Sequence, residues 1–327
     1  MAYQLRPLHE LFGAELTGAD LHEPPSAELI ATVREAMDEY AVLVIRGQAI
    51  TDQEQIRFTR AFGPLETLPN MGMGRQRPSR LPAEMYDASN LDENGEIAGP
   101  DSVRAKFNKG NELFHSDSSY NDLPTSWSLL RGHIVSPEGG NTEFVDSRAA
   151  YAALPDAMKD RIADLVVEHS IWHSRRRGGM QKVTKEMEQA MPPVQHPLVR
   201  LSKNGRKSLY IGGHASHIVG WSLEEGRKLL EELYQFATQP RFIYSHQWQV
   251  GDLLIWDNRC TLHRGTPFPY FKYKRDLRAT RLLEYDNDAS STSAREAATQ
   301  TTELHPGKVV RCIQAANVLY DESGCPL

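Results

Sequence analysis

The chain has 327 residues, 40% hydrophobic and 24% charged, with a formal net charge of -6. That composition is globular and long enough for a sizeable core, as one large or two smaller domains, and its acidic balance argues against binding a nucleic-acid backbone. The three cysteines, Cys260, Cys312 and Cys325, make neither a disulfide framework nor a zinc-ribbon spacing, which fits a reducing, cytoplasmic setting. The opening stretch "MAYQLRPLHELFGAEL" lacks an apolar signal core, and no apolar run reaches the length of a membrane span. No membrane partner is expected.

Two helices come early. "PPSAELIATVREAMDEY" offers Ser26 as N-cap and places Leu29, Ile30, Val33, Ala36 and Met37 on one face. "TDQEQIRFTRAFG" opens with a capping box, Thr51 and Glu54, and stops at Gly63-Pro64. Between them "YAVLVIRG" reads as a buried strand. Residues 65 to 112 show little periodicity, and loops of that length are usually functional or mobile.

From Thr125 the sequence is strand-rich. "TSWSLLRGHIV", the turn "SPEGGN" and "TEFVD" come first, then a helix over "SRAAYAALPDAMKDRIADL" that Pro155 interrupts. "VVEHSIWH" reads as a strand. "HPLVRLSKNGRKSLYIGG" carries Asn204-Gly205, a two-residue hairpin signal. "WSLEEGRKLLEELYQFAT" is a helix opened by Ser222 and Glu225. "RFIYSHQWQVGDLLIWDNRCTLHRG" and "YKRDLRATRLLEYD" supply the last strands. Many short strands with helices outside them predict a mainly β fold with flanking helices, a double-sheet jelly roll.

One tripeptide carries chemistry. "NELFHSDSSY" holds the only His-x-Asp of the chain, His115 and Asp117. On a strand, positions two apart share a face, so an imidazole and a carboxylate can grip one metal ion. A ferrous oxygenase needs two imidazoles and one carboxylate, with the remaining positions open. Of the twelve histidines, His263 stands out, at the exit of the strand in "GDLLIWDNRCTLHRG". The polar edge "WDNR" can support the ligands. Taken singly, each of these residues also reads as an ordinary capping or surface group.

Taken together, "HSDSS", "PEGGNTEF" and "GDLLIWDNRCTLHRG" resemble the taurine dioxygenase and 2,4-dichlorophenoxyacetate dioxygenase family of iron(II)- and 2-oxoglutarate-dependent oxygenases. "LVIRGQ", "FGPLE", "QRPSR", "AMPPV", "GRKSLYIGGHASH" and "EGRKLLEEL" extend the likeness to about Tyr285. The resemblance implies a double-stranded β-helix, with Fe(II) held by His115, Asp117 and His263 as the catalytic centre, 2-oxoglutarate as cosubstrate, and O2. It implies that Thr142, in "GGNT", bonds the cosubstrate carboxylate, and that Trp248 lies near it. Trp256 is expected at the iron pocket or in the core. The far carboxylate of the cosubstrate needs an arginine fork. Relatives carry two arginines four residues apart, and here two registers are open. The ungapped one sets Lys274 and Arg278 in those places. The gapped one sets Arg275 and Ala279 there, with Arg281 on the same face.

For the substrate side, the resemblance brings forward Asn111, His214 and His217. "SRRRGG" at 174 to 179 reads mainly as a solvated charge run. The expected function is hydroxylation of an unactivated C–H bond in a small anionic organic molecule, with cleavage where the carbon bears an ether or amine. The rival readings are a zinc hydrolase and a metal-binding β-barrel without turnover. The expected domain spans 1–286, followed by a tail, 287–327, that supplies no ligands. A homo-oligomer is expected.

Overall fold

The computed structural model describes residues 2–67, 80–180 and 182–284. The tail expected over 287–327 therefore lies outside the described residues, as does most of the "QRPSR" motif. The chain enters through β1 (Gln4–Pro7) and β2 (Ala14–Thr17), then α1 (Ala27–Tyr40), β3 (Val42–Ile45) and α2 (Asp52–Arg60). After β4 (Tyr86–Asp87) and α3 (Val103–Asn108) come β5 (Thr125–Ile134) and β6 (Thr142–Asp146). Helices α4 (Ser147–Ala152) and α5 (Asp156–Ile162), β7 (Val166–His169), α6 (Ile171–Arg177) and α7 (Lys185–Ala190) follow. Next are β8 (Val194–Pro197), β9 (Val199–Leu201), β10 (Lys207–Leu209), β11 (Ala215–Ile218) and α8 (Leu223–Ala237). The last strands are β12 (Ile243–His246), β13 (Leu253–Asp257), β14 (Thr261–Gly265) and β15 (Asp276–Leu283).

The local signals explain these bounds. Ser26 caps α1 by accepting from the Leu29 amide at 3.1 Å, and Thr51 and Glu54 close the capping box of α2. Pro155 splits the expected helix into α4 and α5. Two expectations are corrected. The strand in "VVEHSIWH" ends at His169, because Ser170 caps α6 through the His173 amide. The hairpin β9–β10 is joined by five residues, and only Gly205 of the Asn-Gly pair has positive φ, so it is not a tight two-residue turn.

Seven strands form one sheet in the order β1-β2-β3-β13-β5-β15-β4, and three form another, β12-β6-β14. Two smaller sheets, β11-β7-β8 and β10-β9, lie beside them. Among the described residues no strand pairing closes the two main sheets into one barrel, so the mainly β expectation holds at that level.

Side-chain alternation makes layers. From β13, Leu253 and Ile255 pack with α1 and α2 in one core. Leu254 and Trp256 point the other way and meet Phe144 of β6 in a second core between the two sheets. Val145 of β6 and Leu262 of β14 face a third core, covered by α4 and α8. A strand buried on both faces must be apolar at every position, which is why "LLIW" shows no alternation. No helix among the described residues is long and apolar enough to cross a membrane.

Ile255 is fully buried on the α1–α2 side of the sheet. Ile255→Ala should lower the unfolding free energy by roughly 2–5 kcal/mol in urea titrations, while metal binding by the folded protein stays intact. An unchanged midpoint would contradict this layer assignment.

Candidate active site

The site lies between the two main sheets. His115 and His263 exchange backbone hydrogen bonds across an isolated antiparallel bridge, at 3.0 and 2.8 Å. Asp117 follows on an irregular turn rather than a strand, with Ser118 at φ 50°. One ligand atom from each of His115, Asp117 and His263 falls within 4.8 Å of the others, and all three residues are buried. His115 Nε2 lies 3.9 Å from Asp117 Oδ1, and His263 Nε2 lies 3.6 Å from Asp117 Oδ2.

Neighbours fix these side chains. His115 Nδ1 donates to the Leu113 carbonyl at 2.7 Å, so Nε2 keeps its lone pair. The Asp117 amide donates to Asn258 Oδ1 at 3.0 Å. Ser128 Oγ donates to Asp117 Oδ2 at 2.7 Å, and Arg281 Nη2 to Oδ1 at 2.6 Å. Asn258 in turn donates to Ser128 Oγ and accepts from Trp256 Nε1. The polar edge "WDNR" thus supports the site as expected. Ser128 was not anticipated, because its pattern is that of any strand serine.

Burial raises the Asp117 carboxyl pKa, but Arg281, His263, His115 and the Ser128 hydroxyl outweigh burial and bring it down to about 2. Burial pushes His263 down to about 3 and lowers His115. Two neutral imidazoles and one ionised carboxylate are the donor set of a divalent first-row metal with open coordination positions.

A cavity of about 510 Å³ opens over the triad. Thr142, at the start of β6, lines it, and its Oγ1 accepts from Trp248 Nε1 at 3.0 Å. Trp248 itself does not line the cavity; it acts on that wall through Thr142. Trp256 lines the cavity and also packs in the core, so both expectations for it apply.

The β15 strand separates the arginines. Arg275, Ala279 and Arg281 face the cavity. Arg275 donates to the carbonyls of Gly140 and Ala88 and lies over the Phe268 ring. It has no carboxylate partner among the described residues, and burial lowers its pKa to about 10. Arg278 points to the opposite face, where Asp52 and Asp276 bind it at 2.6 and 2.8 Å. Lys274 pairs with Glu96 at 2.9 Å. The gapped register therefore matches the geometry, and Arg278 does not enter the cavity.

Asn111 and His214 line the cavity, whereas His217 lies on β11 beside Glu168 and outside the lining. The reading of "SRRRGG" as a solvated run is corrected at its first arginine. Arg175 is buried, lines the cavity and donates to Asn111 Oδ1 at 3.2 Å. Arg176 pairs with Glu188 on the outside. The helical placement of Ile171, Trp172 and Arg175 on one buried face of α6 was the available signal. Tyr86, Tyr120, Phe268 and Tyr270 also line the cavity and were not anticipated.

The family profile described as "Taurine catabolism dioxygenase TauD, TfdA family" matches residues 4–281. The chain is 43% identical over 286 residues to the alpha-ketoglutarate-dependent 2,4-dichlorophenoxyacetate dioxygenase of Cupriavidus pinatubonensis, covering 87% of this chain and 99% of that protein. It is 36% identical to the (S)-phenoxypropionate/alpha-ketoglutarate-dioxygenase of Sphingobium herbicidovorans, over 82% of this chain and 90% of that protein. The crystal structure of AAD-2 in complex with Mn(II) and N-oxalylglycine superimposes with a TM-score of 0.79 at 42% identity, covering 86% of this chain and 97% of that chain.

His115→Ala, Asp117→Ala and His263→Ala should each abolish the visible absorption that Fe(II) and 2-oxoglutarate develop together under anaerobic conditions. Full retention of that band in any one variant removes its residue from the ligand set.

Burial also holds His169 at about 3 and His214 well below the ordinary 6.5. These imidazoles stay neutral in the fold but protonate near 6.5 in the unfolded chain, which therefore binds more protons between about 3 and 6.5. Stability must fall as pH drops through that window. The urea midpoint of metal-free protein should decline steadily below pH 6.5, and a flat profile from pH 7 to 4 would contradict the buried neutral state.

Proposed function

Because the chain belongs to the TauD, TfdA family and is a 2-oxoglutarate-dependent non-haem iron dioxygenase using Fe(II), 2-oxoglutarate and O2, we propose that it hydroxylates an unactivated C–H bond of a small organic anion, with succinate and CO2 as co-products. The observation that supports this reading is a single cavity in which the His115, Asp117 and His263 triad is joined by Thr142 and by Arg275, a buried arginine that no carboxylate of the described residues engages. A zinc hydrolase would use the triad but has no need of a second carboxylate clamp.

In this reading His115, Asp117 and His263 hold the iron, which with its cosubstrate and O2 supplies the oxidising power for C–H cleavage. Arg275 receives the far carboxylate of 2-oxoglutarate through its fork, and the Thr142 hydroxyl, oriented by Trp248, donates to the same group. Ser128 and Arg281 keep Asp117 ionised, and Asn258 fixes its backbone. The apolar wall of Trp256 and Leu130 excludes water around the reacting carbon.

The two relatives act on ether-linked carboxylates by their names. We assign the same chemical class to this chain. Hydroxylation of the carbon that bears the ether oxygen gives a hemiacetal, which collapses and cleaves the C–O bond. The two facing sheets are read as the halves of a double-stranded β-helix, and the protein as a cytoplasmic homo-oligomer that binds no nucleic acid.

Turnover of 2-oxoglutarate to succinate, stimulated by small carboxylates and their sulfonate counterparts, tests the reading; no stimulated succinate from any of them would overturn it. Arg275→Ala should raise the 2-oxoglutarate KM by about 30-fold to several thousand-fold, the loss of roughly 2–5 kcal/mol for a desolvated charge pair. Arg275→Lys should restore only part, since a point charge replaces the fork. Arg278→Ala should move that KM far less, and a larger effect at Arg278 than at Arg275 would reverse the assignment.

A further inference from the structure

The motif "FGPLE" follows α2 and ends on Glu66, which does not line the cavity over the triad. Its backbone runs beside β15. The Glu66 amide donates to the Arg281 carbonyl at 2.8 Å, and Leu65 forms an isolated bridge with Leu282. Its side chain meets the segment that follows the proposed metal ligand Asp117. Glu66 Oε1 accepts from Ser118 Oγ at 2.7 Å and from Asn121 Nδ2 at 3.2 Å. Oε2 accepts from Thr125 Oγ1 at 2.5 Å, where β5 begins.

Those three partners bracket one stretch of chain. Ser118 opens the turn after Asp117 with a left-handed φ of 50°, and the Asn121 amide closes it on the Ser118 carbonyl at 2.9 Å. A residue other than glycine keeps that conformation only where its surroundings fix it. Ser118 is fully buried, and its hydroxyl donates to Glu66 while accepting from Arg281 Nη1 at 3.4 Å. Arg281 Nη2 in turn donates to Asp117 Oδ1 at 2.6 Å. A hydroxyl that gives its proton to a carboxylate leaves its lone pairs for the cation. The path runs from carboxylate to hydroxyl to guanidinium to carboxylate, with donor and acceptor matched at every step.

We propose that Glu66 is a positioning residue for the metal centre: through Ser118 and Arg281 it fixes the Asp117 carboxylate toward the metal. This rests on the reading of His115, Asp117 and His263 as ligands.

Charge supports the same role. Burial opposes the charge of Arg281, but Asp117 and then Glu66 outweigh it and raise the guanidinium pKa. A divalent ion at the triad repels Arg281 and draws on the same Asp117 carboxylate. A second carboxylate, joined to Arg281 through Ser118, opposes the displacement that would follow. A carboxylate that only tied the 118–125 segment to β15 would behave differently. Its removal would lower stability and leave the metal affinity of the folded protein unchanged.

The test is Mn(II) binding to the full-length folded protein without cosubstrate, followed by the electron paramagnetic resonance signal of the free ion. It needs no turnover. Glu66→Ala should weaken Mn(II) binding by about 10-fold or more, as the loss of an outer hydrogen-bond partner of a metal ligand does. Glu66→Gln keeps an acceptor oxygen for Ser118 and Asn121 but not the charge, and should recover part of the loss. Ser118→Ala cuts the link to Arg281 and should weaken Mn(II) binding in the same direction. The double variant should lose no more than Glu66→Ala alone, because both changes break one path; additive losses would overturn the path through Ser118. An unchanged Mn(II) dissociation constant in folded Glu66→Ala, even with a lowered urea midpoint, overturns the positioning role. Where that variant does not fold, Ser118→Ala decides by the same criterion. Wild-type protein that binds no Mn(II) overturns the triad together with this inference. Absence of 2-oxoglutarate turnover in protein that binds the metal is a separate failure, of the oxygenase reading alone.

Discussion

Asp117 is a carboxylate buried between apolar sheet faces, where an ionised group is costly unless it is paired and hydrogen-bonded. Distant parts of the chain hold it: Ser128 on β5 and Arg281 on β15 donate to the carboxylate, and Asn258 after β13 accepts from the Asp117 amide. Each is available only if the seven-stranded sheet holds its register. Trp256, through Asn258, ties the same network to the core between the sheets. The fold and the candidate metal centre are therefore one constraint: moving β13 or β15 by one residue would turn Trp256 or Arg281 to the wrong face and leave a buried charge uncompensated.

The same alternation distributes arginines by task. On β15, odd positions 277, 279 and 281 face inward, while Arg278 and Thr280 meet Asp52 and Gln55 of α2 on the other face. Arg278 and Arg281 are three residues apart yet have opposite surroundings, one held by Asp52 and Asp276 and the other by Asp117. Arg275 continues the odd series and meets the cavity as well. Arg175, Arg275 and Arg281 all line the cavity over the triad.

Much of this was legible in the chain itself. Ser26, Thr51 and Ser222 mark helix starts because a side-chain oxygen at that point satisfies an otherwise orphaned amide. The run "LLIW" marks a strand covered on both faces. His115, Asp117 and His263 could be singled out because the donor types and motif contexts are rare in combination. What failed were local inferences about surroundings. Arg175 sits in a run of three arginines that looks solvated, yet it shares the buried face of α6 with Ile171 and Trp172. His217 shares a motif with His214 but lies on β11, facing Glu168.

The sequence by itself determined the starts of α1, α2 and α8, the mainly β character and the reaction class, and it singled out His115, Asp117 and His263, because these depend on residue identity and short-range spacing. The tertiary structure alone decided which of Arg275 and Arg278 meets the cavity, that Trp248 reaches it only through Thr142, and that Arg175 lines it. Those outcomes depend on which face of β15 the cavity meets and on which face of α6 is buried, and neither is written in the local pattern of residues.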